Sequence, residues 1–299
     1  MQPKSGAQAL TRRSLLLAAL AGTITARPSK GEDFLDQDEI RFGLTPVFLN
    51  SDLELLDRFQ VYLRKVTGLP ILLVTRRTYQ EITALLISRQ LDAAWICGYP
   101  FVEAQAQLQL VAVPIWRGRP LYRSYIIVGA DHAPAADIAD LRGDIHAFSD
   151  PDSNSGWLVT NALLAERELR AETFFSRTFF TYGHRDVIRA VASGLADSGS
   201  VDGYVYEVIS ELEPDLTGRT RVLRRSEWLG FPPVAAPLLP VSPRRLEVLK
   251  AALLGMPSDS DGAIILKTLR LDGFGREDAS LFEPIARKAS LVAKLDQHA

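Results

Sequence analysis

From Glu39 to Leu49 the chain reads Glu-Ile-Arg-Phe-Gly-Leu-Thr-Pro-Val-Phe-Leu. This is the two-residue alternation of a strand, ending in a turn at Thr45-Pro46. Ser51-Asp-Leu-Glu54 then has the spacing of a capping box, in which Ser and Glu side chains satisfy free N–H groups at a helix start. Leu55, Phe59, Tyr62 and Val66 continue that helix at helical spacing, and Gly68 stops it. Leu69–Thr75 is fully apolar and predicts a second strand, Tyr79–Arg89 a helix, and Leu91–Cys97 a third strand. Strand alternating with helix in this way predicts parallel βαβ units.

The alternation then changes. Gln109–Trp116 and Ser124–Gly129 are apolar β segments with no helix between them, followed by a short helical turn at Asp137–Gly143 and a strand at Ile145–Phe148. The polar, turn-rich run Ser149-Asp-Pro-Asp-Ser-Asn-Ser-Gly156 opens onto a helix from Trp157 to Arg167. Phe179-Phe-Thr181 reads as a strand end, Arg185–Ser193 as a helix and Ser198–Tyr204 as a strand. Beyond Glu227 lie an apolar, Pro-rich strand (Phe231–Leu239) and at least three helices. The pattern predicts two α/β lobes: residues 39–123 with 226–299 form the first, and residues 124–225 the second. Two chain crossings would make a hinge, with a ligand cleft between the lobes.

The chain has 299 residues, 47% hydrophobic and 23% charged, which is a globular composition with room for two medium domains. A formal net charge of −2 and the lack of any long Lys/Arg run give no support for nucleic-acid or anionic-membrane binding. Arg12-Arg13 precedes a short Leu/Ala/Gly run, the pattern of a twin-arginine export signal. That apolar run is well under the about 20 residues that span a bilayer. Residues 1–38 therefore read as signal peptide and linker, with the mature, periplasmic protein beginning between Arg27 and Glu39 and carrying no membrane span. Cys97 is the single cysteine. An exported protein with one thiol has no internal disulfide, so the core must supply its stability.

Four candidate sites fall at the carboxyl ends of predicted strands, where open α/β sheets place ligands. Thr45 is one, with a plain βα turn as the alternative reading. Cys97-Gly98-Tyr99-Pro100 is the second, either a turn beside a buried thiol or a ligand-lining loop. The third is Asp150-Pro-Asp-Ser-Asn-Ser-Gly156, in which the hydroxyl and amide groups of Ser153, Asn154 and Ser155 stand before the unpaired N–H groups of a helix start. Such a constellation holds an anion without lysine or arginine, and three such residues plus a glycine exceed what a cap requires. The fourth combines His184, just before a helix, with Asp202 at a strand end, where a structural histidine and a helix cap are the plainer readings. The four histidines (132, 146, 184, 298) and Cys97 have no metal-ligand spacing, and no cofactor is implied.

Three stretches carry a resemblance to a known family: Tyr79–Tyr99; Leu141-Arg-Gly with Ala147–Gly156; and Gly183-His184 through Ala190-Val191, Gly194 and Asp197–Asp202. In order and spacing they resemble the phosphonate/phosphite/phosphate-binding proteins of bacterial ABC transporters. These have the type 2 periplasmic binding-protein fold, two lobes each with a mixed sheet flanked by helices. The resemblance implies a monomeric receptor that presents a small oxyanion to an ABC permease or a sensor histidine kinase. It implies that Ser153, Asn154, Ser155, His184 and a group near Thr45 hold the oxyanion. Asp202 would accept a hydrogen bond from a protonated ligand oxygen, while Cys97, Gly98 and Tyr99 close over the other face. Asn154, where a second hydroxyl is expected, and the Cys97 thiol depart from the pattern. A subgroup carrying a cysteine here, the arsenite-sensing receptors, gives the alternative of an arsenite sensor using Cys97 as a soft ligand. A further alternative is an enzyme on the same fold, with Cys97 as nucleophile and His184 as base.

Overall fold

The protein is described by a computed structural model over residues 39–45 and 53–297. The Arg12-Arg13 leader, the turn at Pro46, the capping box at Ser51 and His298 lie outside the described residues. In chain order the strands are β1 (Ile40–Leu44), β2 (Ile71–Thr75), β3 (Ala93–Trp95), β4 (Leu108–Ile115), β5 (Leu121–Tyr122), β6 (Ser124–Gly129) and β7 (Ile145–Phe148). They continue as β8 (Arg177–Phe180), β9 (Ser198–Asp202), β10 (Thr220–Arg225), β11 (Leu229–Gly230), β12 (Val234–Pro237) and β13 (Gly273–Gly275).

These strands build two mixed sheets of like design. One has the order β13-β4-β12-β3-β1-β2, the other β10-β6-β9-β7-β8. In each, three strands run parallel (β3-β1-β2 and β9-β7-β8), and antiparallel strands extend the sheet on one side. The helix Leu53–Thr67 carries the chain from β1 to β2, and the helix Tyr79–Ile87 returns it to β3 on the other side of β1. The second sheet repeats this: the chain goes from β7 out to β8 and comes back through the helix His184–Ala192 to β9. Each sheet thus has one point where strand order reverses, and the crevice at the carboxyl end of that point is the natural ligand position.

The short strands β5 and β11 pair antiparallel, Tyr122 opposite Leu229 and Leu121 opposite Gly230, and so join the two segments that pass between the sheets. The first core closes on Trp95, whose ring meets Phe274 edge-on at 5.1 Å and whose indole N–H donates to the Pro232 carbonyl at 2.9 Å. In the second, buried His146 bonds Ser198 Oγ (2.9 Å) and Ser200 Oγ (2.8 Å) and stacks on Phe175. Such a buried polar group is tolerated because its partners satisfy it.

The last helix, Glu283–Gln297, packs both on the helix Gly98–Glu103 of the first lobe and on Val159–Ala165 of the second. Gly98 permits this approach, since a Cβ there would lie 2.7 Å from Ile285 Cδ1. Cys97-Gly-Tyr-Pro100, read from sequence as a turn or loop, is instead the start of the helix Gly98–Glu103, with Cys97 as its N-cap. Proline is accepted there because first-turn N–H groups have no partner within the helix. The strands β10 and β13 are absent from the sequence prediction. No helix among the described residues is long and apolar enough to cross a membrane.

Candidate functional site

The carboxyl ends of β1 and β3 in one sheet meet those of β7 and β9 in the other. Thr45 follows β1 and is fully buried; its backbone N–H and its hydroxyl both donate to the Trp95 carbonyl, at 3.2 and 3.1 Å. Cys97, two residues beyond β3, reaches across the cleft: the backbone N–H of Asn154 donates to its Sγ at 3.2 Å. Burial pushes that thiol up to about 12, so at neutral pH it is a protonated, weakly polar wall.

After β7 the chain turns through Asp150–Ser153 and enters a π-helical turn, Asn154–Leu158, which runs on into the α-helix Val159–Ala165. Ser153 caps this start, its Oγ accepting from Gly156 N–H at 3.0 Å. Gly156 is required: a Cβ there would lie 1.8 Å from Ser149 Oγ and 2.9 Å from Ser153 Oγ. Asn154 Nδ2 donates to the Tyr122 hydroxyl at 2.7 Å, whereas Asn154 Oδ1 is buried and has no hydrogen-bond partner. The Ser155 hydroxyl is in reach of the same Tyr122 oxygen, and its carbonyl accepts from Ser124 Oγ at 2.6 Å.

His184 opens its helix with both ring nitrogens engaged. The backbone N–H of Asp202 donates to Nδ1 at 3.1 Å, which makes Nδ1 an acceptor and fixes the ring proton on Nε2. Nε2–H then donates to the Tyr79 hydroxyl oxygen at 3.2 Å, so the tyrosine proton is not used in this bond. Burial drives His184 down to about 3, so the ring stays neutral. Asp202 Oδ1 caps the helix Gly203–Leu212, accepting from Tyr204 N–H (2.8 Å) and Val205 N–H (3.2 Å). The capping reading of Asp202 therefore holds for one oxygen, and burial raises the carboxyl to about 7.

The structure thus gathers Cys97, Asn154, Ser155, His184 and Asp202 at one buried junction, with Thr45 and Ser153 directly behind it. Tyr99 stands at its edge, half-buried and stacked on Trp157 with ring centres 6.0 Å apart. Sequence reasoning missed Tyr79 and Tyr122, and it placed Asp150 in the candidate loop without giving it a role. The Tyr79 hydroxyl faces His184 at this junction, and its backbone N–H donates to Asp150 Oδ2 at 3.3 Å. Their positions were the available signal, Tyr79 at a helix start after a strand and Tyr122 on a crossing segment. Neither lysine nor arginine takes part in these contacts. No group of three or more His, Cys, Asp or Glu among the described residues is placed to hold a metal ion. Because both His184 nitrogens are occupied elsewhere, no hydrogen bond joins His184 to Cys97.

A family model described as "ABC transporter, phosphonate, periplasmic substrate-binding protein" matches residues 42–282. The chain belongs to this family. Solved structures share its fold. A binding-protein component of an ABC phosphonate transporter from Pseudomonas aeruginosa superposes with a TM-score of 0.79 at 20% identity, covering 87% of this chain and 88% of that one. PhnD1 from Prochlorococcus marinus in complex with methylphosphonate gives 0.74 at 18% identity, covering 85% and 99%. The alkanesulfonate-binding protein SsuA from Xanthomonas axonopodis pv. citri bound to MOPS gives 0.59 at 17%, covering 87% and 93%. The chain is therefore a periplasmic solute-binding receptor of the two-lobed binding-protein fold, a class whose partners are a small ligand and an ABC permease.

Proposed function

We propose that this receptor encloses a small tetrahedral oxyanion of the phosphonate, phosphite or phosphate class between its lobes and presents it, as a monomer, to an ABC permease. The observation that carries this reading is the buried junction of Tyr79, Cys97, Tyr122, Asn154, Ser155, His184 and Asp202, drawn from both lobes and free of cationic side chains. Hydroxyl protons and helix-start N–H groups supply the donors. Asp202 caps its helix with Oδ1, and its other oxygen is the acceptor for a ligand O–H once the carboxyl, raised to about 7, is ionised. A dry site with a fixed acceptor favours a ligand that carries a proton. Export is by the twin-arginine route, directed by Arg12-Arg13.

Binding proceeds without chemistry on the ligand. A protonated thiol that accepts from Asn154, and an imidazole with both nitrogens occupied, do not form a nucleophile–base pair.

A thermal-shift screen with phosphate, phosphite, methylphosphonate and arsenite tests the reading. A ligand at a hundred times its Kd stabilises the fold by about 2.7 kcal/mol. Stabilisation by at least one of the phosphorus oxyanions, retained in Cys97→Ser, is the expected outcome. Stabilisation by arsenite alone, abolished in Cys97→Ser, would replace the oxyanion by arsenite and make the thiol its ligand.

A further inference from the structure

The acceptor on Asn154 has no task within the protein. Its side chain is fully buried and its amide is pinned: Nδ2 donates to the Tyr122 hydroxyl, and the backbone N–H of the same residue donates to Cys97 Sγ. Oδ1 is left without a partner at the meeting point of the lobes. A buried carbonyl oxygen in that state is destabilising unless something donates to it. The groups around it are the Cys97 thiol and Tyr122 hydroxyl from the first lobe and crossing strand, with Tyr79, His184, Asp150 and Asp202 facing the same junction. None of these donates to Oδ1.

We propose that Asn154 is a specificity-determining residue, its amide oxygen selecting small oxyacids that present an O–H group over those that present none. This inference rests on the oxyanion reading above and narrows it. Oδ1 accepts and cannot donate, whatever the pH. A ligand oxygen without a proton sets its lone pairs against that fixed oxygen, whereas a ligand O–H donates to it. Asp202 does not take this role in mildly acidic solution, where burial keeps its carboxyl protonated and makes it a donor. A hydroxyl at position 154, which both donates and accepts, would lose the distinction.

The test is calorimetric binding at one mildly acidic pH, where the phosphate and methylphosphonate monoanions both carry O–H groups and sulfate carries none. The parent should bind phosphate and methylphosphonate about tenfold or more tighter than sulfate, because a buried acceptor left unpaired is worth about that factor. In Asn154→Thr the phosphate-to-sulfate ratio should fall towards one. An unchanged ratio in that variant would overturn the assignment. If the variant does not fold, the parent decides: sulfate bound as tightly as phosphate overturns the inference and leaves the oxyanion reading standing. Failure of all three probes, with phosphite, would overturn both.

Discussion

Asp202 caps its helix with Oδ1 and, in the proposed function, meets the ligand with its other oxygen, and the two roles separate by pH. Burial lifts its carboxyl from 3.8 to about 7. A folded-state pKa above the unfolded one means that this group's contribution to stability is fully present below pH ~4 and is lost as pH rises through about 7. Burial has the opposite effect on His146 and His184, lowered from 6.5 to about 3, whose contribution is present above 6.5 and lost as pH falls towards 3. Asparagine at position 202 keeps a capping oxygen but does not titrate. The stability of Asp202→Asn relative to the parent should therefore rise with pH between about 4 and 7, by up to about 1.4 kcal/mol per unit, and then level off. Urea unfolding of ligand-free parent and variant across that range measures it, and a difference independent of pH would mean that the buried carboxyl does not hold its proton. Gly156 admits a simpler test at the same scale. Gly156→Ala drives a methyl into Ser149 and Ser153, an overpacking that costs about 1–3 kcal/mol by denaturant unfolding. The variant should also weaken phosphate binding, because Ser153 cannot keep its cap while making room.

Among the elements, the helix Glu283–Gln297 packs on helices of both lobes although it comes last in the chain. Ile285 is fully buried, with Cδ1 against Gly98, the residue after Cys97. Ile285→Ala should cost roughly 2–5 kcal/mol in unfolding free energy, the range for emptying such a site. A loss below about 1 kcal/mol would show that the helix does not hold this corner. This contact was not legible in the sequence, because what a helix face touches depends on distant chain segments. The parallel strands β1, β2 and β3 were legible, because Ile40–Leu44, Ile71–Thr75 and Ala93–Trp95 announce themselves by period and by bounding Gly, Pro and polar residues. The strand β13 was not, since Gly273-Phe-Gly275 has no alternation and is a strand only because β4 offers it an edge. The same division runs through the candidate site. Ser153, Asn154 and Ser155 stand out as small polar residues before a helix. Tyr79 and Tyr122 look like core aromatics, and their hydroxyls matter only because the fold brings them to His184 and Asn154. The π-helical turn at Asn154–Leu158 was invisible for a further reason: it depends on Gly156 fitting against Ser149, a contact that propensity does not encode.

For the molecule as a whole, the hydrogen bonds and ring contacts between the lobes define what closure must make and opening must break. Asn154 N–H to Cys97 Sγ and His184 to Tyr79 lie at the junction; Tyr204 hydroxyl to the Leu269 carbonyl (2.6 Å) and Arg270 to Glu211 (2.7 Å) lie beyond it. The exposed ion pair adds little, so the buried contacts and the ligand must set the balance between open and closed forms. Among the described residues, two ring contacts between the lobes carry an optical signal, the edge-on packing of buried Trp116 on Tyr204 (5.7 Å) and the stack of Tyr99 on half-buried Trp157 (6.0 Å), and the second lies at the rim. Trp157 opens the second-lobe helix beside Asn154, Tyr99 opens the first-lobe helix beside Cys97, and the rings lie within 20° of parallel. When the lobes part, Trp157 loses that cover and enters water; when ligand closes them, the stack re-forms. Adding phosphate or methylphosphonate should therefore change tryptophan emission. The change should vanish in Trp157→Phe, although the thermal shift produced by the same ligand persists. Trp95, whose ring packs on Phe274 of its own lobe, provides the internal control, and measuring in a Trp116→Phe background removes the other lobe-to-lobe tryptophan contact. A ligand-dependent emission change that survives in Trp157→Phe would place the moving contact elsewhere, and loss of both signals would mean that Trp157 supports binding itself. Retained thermal shift with lost emission change is the combination expected if two lobes close over a ligand and this stack marks the edge where they meet.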